Sequence, residues 1–202
     1  MMKGLKSVPA LVAAALLVCA AGVVADAQAP VESAAPTKVL LVGDSMAWGL
    51  GLALKPLIEA EGSSFRFRHK TSDSIRAYAA NARMRDDLRK YEPDVVLITL
   101  GANEALIPKP EALVNPVKKI VRHVGDKPCY WIGPPMWRND TGVVKVLEEN
   151  VTPCKFFNSS PLALERRKDG YHPSKKGSET WARAIVSWLK ENPPAAKEGG
   201  DE

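Results

Sequence analysis

The sequence contains little of the chemistry that proteins use to bind metal ions or nucleic acids. Its 202 residues include three histidines and three cysteines. No cluster of His, Cys, Asp and Glu has metal-ligand spacing, so we predict no metal and no other cofactor. The net charge of +5 arises from basic residues scattered among acidic ones, without a basic stripe interleaved with aromatic residues. Nucleic-acid binding is therefore not expected.

Long apolar runs are also missing, with one exception near the start of the sequence. Two lysines precede an apolar run at residues 8–18, and small residues follow it up to Ala27. This pattern is typical of a secretory signal peptide, which we assign to residues 1–27. The residue before Cys19 is valine, which disfavours lipidation of that cysteine. No later segment is predicted to be a stable membrane anchor, so a periplasmic or secreted protein is expected.

The rest of the sequence predicts one domain between two irregular segments. Residues 28–37 are rich in Ala and Pro and lack periodicity, as in a flexible linker. Residues 192–202 combine Pro, Ala, Gly and charged residues, and are predicted to be a disordered tail. The folded domain is therefore expected at residues 38–191.

Short apolar runs alternate with helical patterns throughout this domain. The run at 95–100 is almost continuously apolar, as in a parallel strand covered on both faces. Five strands alternating with helices predict an α/β fold, a three-layer α/β/α sandwich built on a five-stranded parallel sheet. We assume the flavodoxin-like strand order for this sheet. The predicted strands are 38–42, 65–69, 94–100, 129–132 and 155–157, and the predicted helices are 46–61, 75–90, 111–124, 143–149 and 174–189.

The two cysteines that remain after the leader begin neighbouring strands in this arrangement. Cys129 opens the fourth predicted strand, and Cys154 directly precedes the fifth. Both would lie at the amino-terminal edge of the sheet, and exported proteins mature in an oxidising compartment. We predict a disulfide between them, with two unrelated buried thiols as the alternative.

Ser45 lies in Gly43-Asp44-Ser45, where the first strand ends and the first helix begins. At this place a serine hydroxyl projects from the carboxyl edge of the sheet, and its backbone amide lies at a helix amino terminus. Such a hydroxyl and amide can attack a carbonyl and bind the resulting oxyanion. Helix capping is the simpler explanation for this triplet alone.

A serine nucleophile needs a base, and His172 is the best candidate. His69 ends a strand and His123 ends a helix, and both positions have ordinary structural explanations. His172 instead lies in a turn-rich loop before the last helix, three residues after Asp169. Asp169 could orient the imidazole and stabilise its charged form, although a surface turn is the alternative reading.

A third polar segment, Gly101-Ala102-Asn103-Glu104, follows the buried third strand. It is expected beside Ser45 at the carboxyl edge of the sheet. The side-chain amide of Asn103 could donate to an oxyanion there. A polar turn after a strand is the alternative.

These three segments resemble, in the same order, the conserved blocks of the SGNH (GDSL-like) hydrolases. The resemblance covers nearly all of the predicted domain and implies the SGNH hydrolase fold, with a Ser45, His172 and Asp169 catalytic triad. It also implies an oxyanion hole formed by the Ser45 amide, the Asn103 side chain and a glycine amide after the second strand.

The sequence departs from the family pattern at two positions. Ser72 is the best candidate for the family glycine, and it keeps a backbone amide but lacks glycine's tolerance of positive φ. Glu104 stands where the family more often has Asp. The Ser72 departure indicates a reshaped oxyanion hole, a different acyl preference or an inactive relative.

Other residues near this edge are candidate substrate contacts. They are Asp44, Trp48 beside the nucleophile and Trp137 after the fourth strand, with packing as the alternative for the tryptophans. Gly49-Leu50-Gly51 lacks the third glycine of a dinucleotide loop, because Leu54 occupies that place.

The sequence therefore predicts an exported serine esterase, with short acyl groups on small molecules or glycans as substrates. An O-acyltransferase acting on glycans is one alternative. A non-catalytic carbohydrate-binding or assembly protein with the same fold is the other, and Ser72 is the reason for considering it.

Overall fold

A computed structural model describes residues 37–194 of the chain. The predicted signal peptide, the linker up to residue 36 and the tail from residue 195 lie outside the described residues. Strands and helices alternate from β1 to the carboxyl-terminal helix. The elements are β1 Lys38–Gly43, α1 Ser45–Ala60, β2 Ser64–His69, α2 Ile75–Ala80, α3 Arg83–Tyr91, β3 Val95–Thr99, α4 Val114–Val124, β4 Cys129–Ile132, α5 Val143–Asn150, β5 Lys155–Phe157 and α6 Lys175–Glu191, with 3₁₀ helices at Ala102–Glu104 and Pro110–Leu113.

The five strands form one parallel sheet in the order β2-β1-β3-β4-β5. This confirms the predicted α/β class, strand number and flavodoxin-like order. Gly43, the last residue of β1, pairs with His69 on one side and Thr99 on the other. The ends of β1, β2 and β3 therefore lie side by side, and the loops that follow them meet at one edge.

Helices cover both faces of the sheet and give the predicted three layers. Along β3, Val96 and Ile98 face one apolar cluster, whereas Val95 and Leu97 face the other. The first cluster includes residues of α2 to α5, and the second includes residues of α1 and α6. This explains why β3, which is buried along its whole length, lacks the polar alternation of a half-exposed strand.

One predicted helix, at 75–90, is two helices in the structure. The break is at Asn81, which has an extended backbone with ψ of 173°. Its side chain donates to the carbonyl of Ala77 and accepts from the amide of Arg83, at 2.6 and 2.9 Å. The amide side chain thus replaces backbone hydrogen bonds at the junction, a local competition that apolar periodicity does not reveal.

The predicted disulfide between Cys129 and Cys154 is present, with the two Cα atoms 4.6 Å apart. It joins the starts of β4 and β5 at the amino-terminal edge. At the same edge the hydroxyl of Tyr130 donates to the carbonyl of Asn192, and Lys155 donates to that of Pro193. Within residues 37–194, no helix has the length and apolarity needed to cross a membrane.

Removing the disulfide is expected to destabilise the domain. The bridge closes a loop with a sequence separation of 25, and closure of a loop of that size restricts the unfolded chain by about 3 kcal/mol. The Cys129→Ala/Cys154→Ala double variant should lose about this much free energy of unfolding in urea titrations. Wild-type protein with reductant should behave like the variant, and alkylation of two thiols without reductant would contradict the assignment.

Candidate active site

Ser45 is the first residue of α1 and follows a tight turn from β1. The turn requires glycine at position 43, since a Cβ atom there would lie 2.1 Å from the carbonyl oxygen of Thr99. Asp44 then caps the helix, because its Oδ1 accepts from the amide of Met46 at 2.8 Å. The local sequence thus places the Ser45 hydroxyl and amide at the carboxyl edge of the sheet.

The structure brings Ser45, His172 and Asp169 together in one hydrogen-bonded chain. His172 Nε2 lies 2.9 Å from Ser45 Oγ, and His172 Nδ1 lies 3.0 Å from Asp169 Oδ2. With Nδ1 protonated, Nε2 is free to accept the serine proton. The sequence separation of Ser45 and His172 is 127 residues, so only the fold makes this contact.

Asp169 is held in its ionised form by the loop that carries His172. Its side chain bonds to the imidazole, and its Oδ1 also accepts from the amides of Tyr171 and His172 at 2.8 and 3.0 Å. The hydrogen bonds from the His172 side chain, the His172 amide and the Tyr171 amide lower the pKa of Asp169 to about 2. Gly170 has a φ of +71°, which a residue with a side chain rarely adopts.

Arg166 fixes this loop to the rest of the domain, and the sequence analysis missed it. Its guanidinium donates to the carbonyls of Tyr171, Pro135 and Met136 at 2.7, 2.8 and 3.1 Å. It therefore ties the loop of His172 to the segment after β4. Two of these partners lie 30 and 31 residues away in sequence, and no local motif signals the contact.

Asn103 lies in the 3₁₀ helix after β3, and its side chain reaches the loop after β2. Its Nδ2 donates to the carbonyl of Asp73 at 2.8 Å, and a longer contact of 3.4 Å joins it to Asp44 Oδ2. Asn103 lines a cavity together with Ser45, Ser72 and His172. The structure therefore brings the three predicted oxyanion residues, Ser45, Ser72 and Asn103, to one place.

Ser72 adopts the left-handed backbone conformation, with a φ of 59°. Its side chain makes no hydrogen bond within the described residues, whereas the turn around it is closed by the Asp73 amide donating to Lys70 O at 3.1 Å. The backbone conformation of a glycine is thus kept at position 72 even though the residue is serine. This conformation is strained for any residue with a Cβ atom.

Three carboxyl groups are buried behind the carboxyl edge of the sheet that carries Ser45. Asp44, Asp73 and Glu104 are 1%, 2% and 5% exposed. The pKa of Asp44 and that of Glu104 are both raised to about 7. Burial is the main cause, and neighbouring carboxylates contribute to the increase. Asp73 forms an ion pair with Arg83, which compensates its burial.

The burial of Asp44 corrects the prediction that it contacts substrate. It lines neither of the cavities beside Ser45, because its carboxyl group caps α1 and contacts Asn103. Glu104 has a similar internal role, since its Oε1 accepts from the amide of Ile75 at 2.7 Å. This bond joins the loop after β3 to the start of α2.

Two cavities have Ser45 and His172 among their lining residues, and each is lined by one of the two predicted tryptophans. The first cavity has a volume of about 330 Å³. We call it the uncharged cavity, because His172 and Tyr171 are its only titratable lining residues. The second, of about 320 Å³, we call the basic cavity. Lining residues of the uncharged cavity include Met46, Ala105, Leu106, Trp137 and Tyr171, and those of the basic cavity include Trp48, His69, Thr71, Arg167 and Ser178.

The other two histidines do not contact Ser45 or Asp169, although His69 lines a cavity beside Ser45. His69 lines the basic cavity, and its ring stacks with Phe67 at a centroid distance of 6.3 Å. His123 lies in the last turn of α4 and lines neither cavity beside Ser45. In the part of the chain that the structure describes, no three His, Cys, Asp or Glu side chains are grouped to hold a metal ion.

Replacing Ser72 by glycine is expected to stabilise the protein. The left-handed conformation costs a non-glycine residue about 1–2 kcal/mol, whereas the greater freedom of glycine in the unfolded chain returns about 0.5–1 kcal/mol. The Ser72→Gly variant should therefore gain up to about 1 kcal/mol in free energy of unfolding. Ser72→Ala, which keeps the strain, is the matched control. A variant with glycine that is less stable than the one with alanine would contradict this account.

The buried carboxyl groups should make the protein less stable as the pH rises. The folded-state pKa of Glu104 is raised from 4.5 to about 7, so the folded state binds a proton more tightly than the unfolded state does. Its stabilising contribution is complete below pH 4.5 and is lost as the pH rises through about 7, a change of about 3 kcal/mol.

This pH dependence is expected to become weaker in Glu104→Gln, which resembles the protonated acid. Urea unfolding at pH 5 and pH 8 measures the difference in stability between the two pH values. The exposed Glu111→Gln is the control for loss of one carboxylate. If Glu104→Gln and wild type lose equal stability between these pH values, Glu104 is not the titrating group.

Comparisons with known proteins are consistent with the geometry. No protein-family model matches the chain, and no curated protein sequence matches it significantly. Solved structures do match. A lipase/acylhydrolase from Enterococcus faecalis has 20% identity and a TM-score of 0.60, and the match covers 80% of this chain and 100% of that one.

Two further structures have the same arrangement. The psychrotrophic esterase EstA from Pseudoalteromonas sp. has 18% identity and a TM-score of 0.60 over 77% of this chain and 97% of its own. An acetyl xylan esterase, AlAXEase, has 14% identity and a TM-score of 0.59 over 75% and 99%. At sequence identities this low, a structural match shows only that two chains share a fold. The strand order and the loop positions described above agree with these matches. The chain has the fold of the SGNH (GDSL-like) hydrolases.

Proposed function

We propose that this protein is an exported serine esterase that hydrolyses short-chain O-acyl esters, including acetyl groups on carbohydrate. The observation that carries the proposal is the hydrogen-bonded chain from Asp169 through His172 to Ser45, with distances of 3.0 and 2.9 Å. A surface turn or a helix cap does not require this alignment of a carboxylate, an imidazole and a hydroxyl. A serine nucleophile with its base does.

In the proposed reaction, His172 acts first as a base and then as an acid. Nε2 takes the proton of Ser45 as Oγ attacks the ester carbonyl carbon, and the ionised Asp169 stabilises the imidazolium that forms. Collapse of the tetrahedral intermediate breaks the bond to the alcohol oxygen, which takes the proton from His172. Water then gives a proton to His172 as it attacks the acyl carbon on Ser45. His172 returns that proton to Ser45 Oγ as the bond to the acyl group breaks, and the acid is released.

The negative charge of the tetrahedral intermediate needs nearby donors. The amides of Ser45 and Ser72 and the side chain of Asn103 are the candidates, since all three residues line the uncharged cavity. The hydrogen bond from Asn103 to the Asp73 carbonyl fixes the position of this side chain. The second N–H of the same planar amide makes only the weaker 3.4 Å contact to Asp44, so it is the one left available to an oxyanion.

The uncharged cavity is suited to a small acyl group. Leu106 and Tyr171, two of its walls, are 53% and 46% exposed. These walls do not enclose a ligand, so a long chain lying against them would keep one side in water and would bury only part of its apolar surface. The structural neighbours support ester hydrolysis, and one of them is described as an acetyl xylan esterase.

Loss of the nucleophile or of its orienting acid should abolish the activity. Ser45→Ala is expected to lower kcat on p-nitrophenyl acetate by at least about 10⁴-fold, and Asp169→Asn by about 10³-fold, because the base loses its partner. A fluorophosphonate probe should label wild type but not Ser45→Ala. Ser63→Ala, at a loop serine remote from the site, is the control. Unlabelled but folded wild-type protein would favour the binding alternative.

Acyl-chain preference tests the small acyl site. If the cavity buried six additional methylene groups, octanoyl esters would gain about 5 kcal/mol. We expect instead that kcat/KM for p-nitrophenyl octanoate is no higher than for the acetate, because the cavity walls are open to water. An increase of a hundredfold or more would contradict the proposed substrate class. Product analysis with a sugar acceptor distinguishes hydrolysis, which gives free acid, from acyl transfer.

A further inference from the structure

The two cavities beside Ser45 differ in the basic residues that line them. Both include Ser45 and His172, so both touch the atoms that would react. The uncharged cavity contains neither Arg nor Lys, whereas Arg167 and His69 line the basic cavity. Neither set of lining residues includes Asp or Glu. An ester has two halves, and the site presents two different environments for them.

Arg167 is the only arginine or lysine that lines the basic cavity, and its side chain stacks on Trp48. The guanidinium carbon lies 4.9 Å from the centroid of the indole ring. No carboxylate within the described residues forms a salt bridge with Arg167, unlike Arg83 and Arg68, which pair with Asp73 and Asp87. Stacking on an aromatic ring fixes the plane of the guanidinium while leaving its N–H groups available to a ligand.

The backbone of Arg167 is tied to the catalytic histidine. Its amide donates to the carbonyl of His172 at 2.8 Å, and its carbonyl accepts from the amide of Gly170 at 3.0 Å. The positions of Arg167 and His172 are therefore set by the same short loop. A group bound by the Arg167 side chain would therefore lie in the same cavity as His172, whose Nε2 atom serves the leaving oxygen.

We propose that the basic cavity binds a negatively charged alcohol half of the ester, namely an acidic sugar whose carboxylate pairs with Arg167. This inference rests on the proposed esterase function and adds the substrate class. The alcohol oxygen must lie beside His172 to receive its proton, and His172 lines this cavity. The planar guanidinium matches a carboxylate with two parallel hydrogen bonds, and Trp48, which is 41% exposed, offers an aromatic surface for a sugar ring.

The kinetic test compares two acetyl esters that differ only in charge. The substrates are an O-acetylated galacturonate oligomer and an O-acetylated galactose oligomer of the same length. Wild type is expected to have the higher kcat/KM on the acidic ester. Arg167→Gln should lower that value by about tenfold or more, mainly through KM, because a hydrogen-bonded charge pair is lost. The loss on the neutral ester should be much smaller.

Matched variants separate a local contact from the general charge of the protein. Lys168→Gln removes the same charge one residue away, and Lys168 does not line the cavity. It should change the preference by less than about twofold, since a charge that does not contact the ligand is screened by salt. Arg167→Lys, which keeps the charge but not the planar group, should fall between wild type and Arg167→Gln. Equal losses for Arg167→Gln on both esters, or equal effects of Arg167→Gln and Lys168→Gln, would overturn the proposal.

A binding measurement makes this inference independent of catalysis. Calorimetry with the Ser45→Ala protein should show tighter binding of the unacetylated galacturonate oligomer than of the galactose oligomer. The additional change Arg167→Gln should remove this difference. If no hydrolysis is found but the difference is present, the esterase proposal fails and the acidic-sugar site stands. If hydrolysis depends on Ser45 but the two oligomers bind equally, the acidic-sugar site fails and the esterase proposal stands.

Discussion

The close approach of β1 and β3 at Gly43 is the constraint on which the site depends. The backbone of Gly43 packs against the carbonyl of Thr99, and the next amide, of Asp44, donates to that carbonyl at 3.2 Å. Any side chain at position 43 would separate the two strands. Such a separation would move Ser45, at the start of α1, away from Asn103, in the loop after β3. One small residue thus sets the distance between the nucleophile and the proposed oxyanion donor.

The buried carboxyl groups behind this edge oppose the stability of the fold. Transfer of Asp44 and Glu104 from water costs free energy, and the raised pKa of each expresses that cost. In return they join the loops that follow β1, β2 and β3. Asp44 caps α1 and contacts Asn103, while Glu104 binds the amide that opens α2. These loops are therefore connected by internal polar contacts, with little dependence on groups at the surface.

The loop of His172 has two distinct functions in the proposed enzyme. Hydrogen bonds from Arg166 to Pro135 and Met136 fix it against the segment after β4, so that His172 meets Ser45. The following residue, Arg167, turns to the other side and stacks on Trp48. The two adjacent arginines thus have different proposed roles: Arg166 positions the loop of His172, and Arg167 binds substrate.

The parallel sheet with its covering helices and the disulfide could be predicted from the sequence, because apolar runs, turn residues and a parallel topology restrict the arrangement strongly. The flavodoxin-like strand order is an assumption at that stage, and the structure confirms it. The convergence of Ser45, His172 and Asp169 could be predicted as well, since few histidines compete and each partner follows a strand or precedes a helix. The break at Asn81 could not, because a side chain there replaces backbone hydrogen bonds without altering the apolar periodicity.

The sequence by itself determined which groups are available for chemistry and at which edge of the sheet they lie. Tertiary structure alone decided what surrounds them: that Asp44 is buried under Asn103, that Ser72 keeps a left-handed backbone, and that Arg166 and Arg167 point to different partners. The physical reason is that burial, hydrogen bonding and stacking depend on residues 30 to 120 positions away, which no local pattern specifies.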